Sequence, residues 1–122
     1  MTRTFFYKKV PSEKHRAIYE TVRRANAAAE AILKPGVPLC EVDKAARQII
    51  EDAGYGPNFT HRLGHFIGLE VHEYGDVSSA NTKVAEVGNI FSIEPGIYVE
   101  GEVGVRIEDL VLITEDGCEI LN

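Results

Sequence analysis

Two Ile/Val-rich runs, "NIFSIEPGIYV" and "VGVRIEDLVLIT", stand on either side of Gly101 and most constrain what this chain can become. Such runs read as strands, and a glycine between Glu100 and Glu102 reads as the turn that joins them. Strand side chains alternate, so Ile90, Ser92 and Glu94 share one face, and Phe91 and Ile93 share the other. By the same rule Arg106, Glu108, Leu110 and Leu112 lie together. If the runs pair about Gly101, Glu94 and Glu108 are equally far from the turn and face each other. Like charges opposed across a sheet destabilise it, so a cation, a shared proton or solvent must offset the pair. Pro95-Gly96, directly after Glu94, interrupts a regular ladder, as happens where a strand bends at a site. The residues alone leave two readings open: two solvated glutamates, or two carboxylates that bridge a divalent metal.

The rest of the chain places this hairpin in an α+β fold. "TRTFFY" reads as a short strand, with Arg3 and Phe5 on one face and Thr4 and Phe6 on the other. Pro11-Ser12 is a helix start with Ser12 as N-cap. Ile18, Val22, Ala25, Ala29 and Ile32 then recur at helical steps until Lys34-Pro35-Gly36. A shorter helix fits Val42, Ala45, Ala46, Ile49, Ile50 and Ala53, closed by Gly54, and the short link suggests an antiparallel helix pair. After Gly56-Pro57 the period becomes that of strands, with "FIGLEV" strand-like, "YGDVSSANTKVAEVG" a polar loop, and Asp116-Gly117 a turn. The order of strand, two helices and several antiparallel strands is α+β. All 122 residues form one domain by this reading.

A net charge of −6 argues against a nucleic-acid partner, since the basic residues are scattered and phosphate binding needs a basic surface. No apolar run is long enough for a membrane span, and "MTRTFFYKKV" lacks the apolar core of a signal peptide. Cys40 and Cys118 are far apart without metal-type spacing, so the expectation is a reducing, cytoplasmic setting.

Three of the four histidines fall in "HRLGHFIGLEVHE". His61 and His65 are four apart, a metal-pair spacing on a helix, but Gly64 and Gly68 argue against a helix there. On a strand His65 points with Ile67 and Leu69, while His72 points the other way with Glu70. One histidine beside two facing carboxylates is a donor set that Mn, Co, Zn and Fe all accept.

"HRLGHFIGLEVHE", "FSIEPGIYV" and "GVRIEDLVLIT", in this order, closely resemble the C-terminal half of the Xaa-Pro peptidases, prolidase and aminopeptidase P, of the pita-bread metallopeptidases. "PGVPLCEVDKAARQIIEDAGYG" is similar to the helical segment before those motifs. The resemblance implies the C-terminal part of the pita-bread fold: two helices packed on a curved, mainly antiparallel sheet. It also implies that His65, Glu94 and Glu108 ligate divalent metal (Mn, Co or Zn), that Glu108 bridges two ions, and that Glu94 is also the general acid/base. His61 and His72 match catalytic, substrate-binding histidines that hold the scissile carbonyl and its intermediate, and Arg106 matches a position beside the bridging glutamate. The implied reaction is hydrolysis of the peptide bond before proline, in a proline-containing peptide, by a metal-bound hydroxide.

The resemblance also sets expectations about what is missing. In those enzymes two further ligands are aspartates on a hairpin ending in a stretch like "D-x-T-R-T-F", and Met1 matches the residue after the second aspartate. The expectation is therefore a truncated catalytic domain lacking its N-terminal half, with at most one weak metal site and catalytic competence in question. Its uncovered apolar surface and edge strand are expected to drive homo-oligomerisation. Tyr74-Gly75-Asp76 departs from the proline-containing pattern that usually follows the "HE" pair. The rival reading is a non-catalytic binding module on the same fold.

Overall fold

The computed structural model describes residues 1–122. Helix α1 (Glu13–Ala31) begins where the Ser12 hydroxyl accepts the His15 N–H at 3.2 Å, with Glu13 in the first turn. Such a cap contributes about 1 kcal/mol. Ile18, Val22, Ala25 and Ala29 are fully buried along one face, as their spacing predicts. Ile32 is not: the helix ends there, the residue is exposed, and Leu33 takes the buried place. Helix α2 (Leu39–Asp52) packs on α1 and buries Leu39, Val42, Ala46 and Ile50. It closes at Gly54, whose φ of +88° favours glycine. There the Gly54 N–H donates to Glu51 O and the Tyr55 N–H to Ile50 O, the paired bonds of a glycine-terminated helix. A short 3₁₀ turn follows at Gly56–Asn58.

The strands are β1 (Gly64–His65), β2 (Asp76–Val77), β3 (Ile90–Ile93), β4 (Gly96–Val99), β5 (Val103–Arg106), β6 (Asp109–Ile113) and β7 (Cys118–Ile120). They form three antiparallel ladders, β1–β2, β3–β6–β7 and β4–β5, instead of one unbroken sheet. The expected register about Gly101 holds throughout. Val99 pairs with Val103 and Gly96 with Arg106 in the inner hairpin, and Ile93 pairs with Asp109 and Ile90 with Leu112 in the outer one. Both ladders stop at Glu94-Pro95 and Ile107-Glu108. Pro95 has no N–H to give, so the strands part at the two glutamates.

The parted backbones find other partners. The Glu94 N–H donates to Leu63 O at 2.8 Å, and Glu108 exchanges backbone bonds with Thr2, the Glu108 N–H reaching Thr2 O at 3.0 Å. The break thus draws in the segment before His65 on one side and the N-terminal segment on the other. Phe91, Ile93, Ile97, Val105, Val111 and Ile113 complete the core against the helices.

Two predicted strands are not formed. Residues 2–7 make a single bridge, Thr2 to Glu108. Farther along, the Thr4 hydroxyl takes the place of a backbone ladder, accepting the Arg106 N–H at 3.2 Å and donating to Arg106 O at 3.0 Å. The side chains still alternate, with Thr2, Thr4 and Phe6 half-buried and Arg3 and Phe5 exposed. "FIGLEV" also fails as a strand, because the chain turns at Gly68, whose N–H donates to Glu70 O, and the Glu73 N–H returns to Phe66 O. A Cβ at Gly68 would lie 2.6 Å from the Glu73 carboxylate, so a larger residue there would push that exposed side chain aside. His72 therefore does not point away from His65: their ring centroids are 4.2 Å apart.

Candidate metal centre

His65 sits on a strand of only two residues, and its position depends on how closely β1 approaches β3. A Cβ on Gly64 would lie 1.8 Å from the carbonyl oxygen of Ser92, so the glycine permits that approach. Next to it, the His65 N–H donates to the Ser92 hydroxyl at 3.0 Å, and that hydroxyl donates to Glu94 Oε1 at 3.1 Å. One serine thus orients both side chains. His65 Nδ1 is 3.0 Å from the Phe66 carbonyl oxygen. A carbonyl only accepts, so Nδ1 carries a proton, and in the neutral ring Nε2 is then the nitrogen with the lone pair. Nε2 faces Glu94 Oε1 at 3.5 Å.

Glu108 completes the group from across the broken ladder. The Thr2 hydroxyl donates to its Oε2 at 2.6 Å, and Arg106 Nε and Nη2 donate to the same hydroxyl at 3.3 and 3.2 Å. Arg106 therefore acts on Glu108 through Thr2. Donor atoms of His65, Glu94 and Glu108 all lie within 4.8 Å of one another. An ion with bonds of about 2.1 Å separates neighbouring donors by roughly 3–3.5 Å, so small side-chain rotations close this set around one divalent cation. The donor chemistry fits: one imidazole nitrogen fixed in the metal-binding tautomer by a carbonyl, and two carboxylates whose mutual repulsion a cation relieves.

His61 and His72 are outside that cluster. His72 lies in the exposed loop beyond Gly68, its ring against that of His65. Both ring nitrogens of His61 are engaged at 2.7 Å, Nδ1 by Arg62 O and Nε2 by the Tyr98 hydroxyl. Burial pushes the Tyr98 phenol above its ordinary range; Arg106 opposes this and the charge of Glu94 adds to it. An open hollow of about 940 Å³, lined by Arg62, Phe66, Tyr74 and Lys83 among others, includes none of the three metal-type donors.

On the other face of β6, Asp109 accepts from Arg3 Nη2 at 2.6 Å and from Asn122 Nδ2 at 2.8 Å. The buried Oε1 of Glu30 has no hydrogen-bond partner. Burial, with the neighbouring Asp109 carboxylate, raises the Glu30 pKa to about 7.

The sequence indicated His65, Glu94, Glu108 and Arg106 but not Thr2, Tyr98 or the double role of Ser92. A polar Ser92 on the Glu94 face of an otherwise apolar strand is a signal for its role. Nothing local marks Thr2, which reaches Glu108 across 106 positions of chain.

Residues 1–115 match the model of metallopeptidase family M24. A relative in Staphylococcus haemolyticus, named an uncharacterized peptidase, is 54% identical over 99% of this chain and 34% of its own length. Among solved structures, the prolidase from Pyrococcus furiosus matches with a TM-score of 0.89 and 48% identity over 92% of this chain and 33% of that one. The X-Pro aminopeptidase from Thermotoga maritima matches with a TM-score of 0.88 and 44% identity over 92% and 32%. The chain spans about a third of the length of these proteins. Its two helices and antiparallel ladders have the architecture of the corresponding part of the prolidase fold.

Proposed function

The chain belongs to metallopeptidase family M24, and from that premise we propose that it carries catalytic residues for hydrolysis of the peptide bond before proline. The observation behind this reading is the convergence of His65, Glu94 and Glu108 at the break in the hairpin. These three side chains would hold a divalent ion, one per chain from the chain's own donors, with Mn, Co and Zn all suited to the set. When bound, the ion supplies Lewis acidity toward the scissile carbonyl and lowers the pKa of water.

The chain's residues do the rest. Glu94 Oε1 is held by Ser92, which leaves Oε2 to take the proton of the attacking water and return it to the leaving proline nitrogen. Glu108 is held by the Thr2 hydroxyl, with Arg106 supplying positive charge behind it. In this reading His72, whose exposed ring lies against that of His65, hydrogen-bonds the scissile carbonyl and its intermediate. His61 is the second substrate-facing histidine in this reading.

Release of proline from Ala-Pro tests it. Metal-loaded protein is expected to cleave Ala-Pro in preference to Ala-Ala and to lose that activity in Glu94→Gln. No turnover, equal cleavage of the two dipeptides, or full activity in Glu94→Gln overturns it.

A further inference from the structure

We propose that Tyr98 is a positioning residue that holds His61 as the neutral Nδ1–H tautomer, with both ring nitrogens occupied within the protein. The direction of each hydrogen bond follows from the partners. The Arg62 carbonyl can only accept, so the proton is on Nδ1 of His61. In the neutral ring Nε2 is then an acceptor, and the Tyr98 O–H donates to it at 2.7 Å. A solvated histidine prefers the opposite tautomer, with the proton on Nε2. The structure therefore selects the minor form, and Tyr98 is the group that rewards it.

The surroundings fix both rings. Tyr98 pairs with Gly104 across the β4–β5 hairpin, and its backbone carbonyl accepts from Asn58 Nδ2 at 3.0 Å. A Cβ at Gly96 would lie 2.4 Å from the Tyr98 hydroxyl oxygen, so glycine is needed for the phenol to reach His61. The His61 backbone is held separately. Its carbonyl accepts from Arg47 Nη2 at 2.9 Å, and Arg47 is anchored by the fully buried Asp43 at 2.8 Å. Phe59 meets the His61 ring edge-on at a centroid distance of 5.2 Å. Held from four sides and with no nitrogen free, His61 contributes placement of its ring and not proton transfer.

This deepens the peptidase reading, on which only the kinetic test rests. The direct test is long-range ¹H–¹⁵N NMR of the histidine rings in the whole chain near pH 8. The expected wild-type spectrum shows His61 with a protonated Nδ1 and an unprotonated Nε2, and Tyr98→Phe shifts it to a mixture. A wild-type ring protonated on Nε2 overturns the proposal whether or not the variant folds, and so does a tautomer unchanged in a folded Tyr98→Phe. With Ala-Pro as substrate, loss of one neutral hydrogen bond is expected to raise KM about five-fold with kcat within about two-fold. A collapse of kcat at unchanged KM overturns it by making His61 a proton-transfer group. If the wild type turns over no substrate, the peptidase reading fails while the tautomer result still decides the role of Tyr98.

Discussion

Glu30→Gln is expected to stabilise the protein above neutral pH and to leave its stability near pH 4, below the unfolded carboxyl's pKa, almost unchanged. Glu30 projects from α1 toward Asp109 on β6, with Oε1 buried and unbonded. Burial is the main cause of its raised pKa, followed by the hydrogen bond and charge of Asp109, while Arg3 and Asn26 pull the other way. An unfolded chain releases this proton near 4.5 and the folded one near 7. Between those values the native state binds more protons, so its stability falls as pH rises and is level above about 7. In a dry site the displacement would be worth ~3 kcal/mol. The carboxyl is only half-buried, and solvent screening leaves about 1–2 kcal/mol of that. Glutamine keeps the shape, carries no charge and can donate to Asp109. Asp109 does not blur the result. Burial would raise its pKa, but hydrogen bonds from Asn122, Arg3 and Glu30 outweigh that and hold it low. Its contribution is present above its unfolded pKa and is lost only as pH falls through the lower folded value. Urea denaturation of wild type and variant from pH 4 to pH 8 reads the difference directly, with the histidine contributions common to both. A variant less stable at pH 8, or a difference that does not change with pH, would refute the reasoning.

Three further outcomes follow from the same structure. Gly64→Ala places a Cβ 1.8 Å from Ser92 O; thermal melts are expected to show a loss of about 2 kcal/mol or more, and metal binding to weaken as β1 moves off β3. Thr2→Val removes the hydroxyl between Arg106 and Glu108, and metal affinity measured by calorimetry is expected to fall about ten-fold with little change in melting temperature. Met1, Phe5 and Tyr7 are largely exposed, so light scattering is expected to show concentration-dependent association that Phe5→Ser with Tyr7→Ser reduces.

Much of the hairpin was legible because strand alternation and one turn residue set its register, and the pairing about Gly101 placed Glu94 opposite Glu108. The helices were legible from their periodicity and end signals, apart from Ile32, where the pattern continued one step beyond the helix. What was not legible depends on contacts distant in sequence. Residues 2–7 have a strand's alternation, yet Thr4 gives Arg106 a hydroxyl where a ladder would need backbone. "FIGLEV" has strand composition, and the return at Gly68 is fixed by Glu73 and the loop after it. That return brings His72 onto His65, which alternation alone would have denied. The three metal-type donors were identified from motif and face, but the residues that aim them, Ser92 and Thr2, are visible only once the ladder break has gathered β1 and the N-terminal segment around it.

The central claim is that His65, Glu94 and Glu108 form a divalent-metal site, and calorimetric titration of metal-free protein with Mn²⁺, Co²⁺ and Zn²⁺, beside Glu108→Ala, tests it most directly. The account predicts one ion per chain in the wild type and no measurable binding in a folded Glu108→Ala. No binding by the wild type, or the same affinity in the variant, would contradict it.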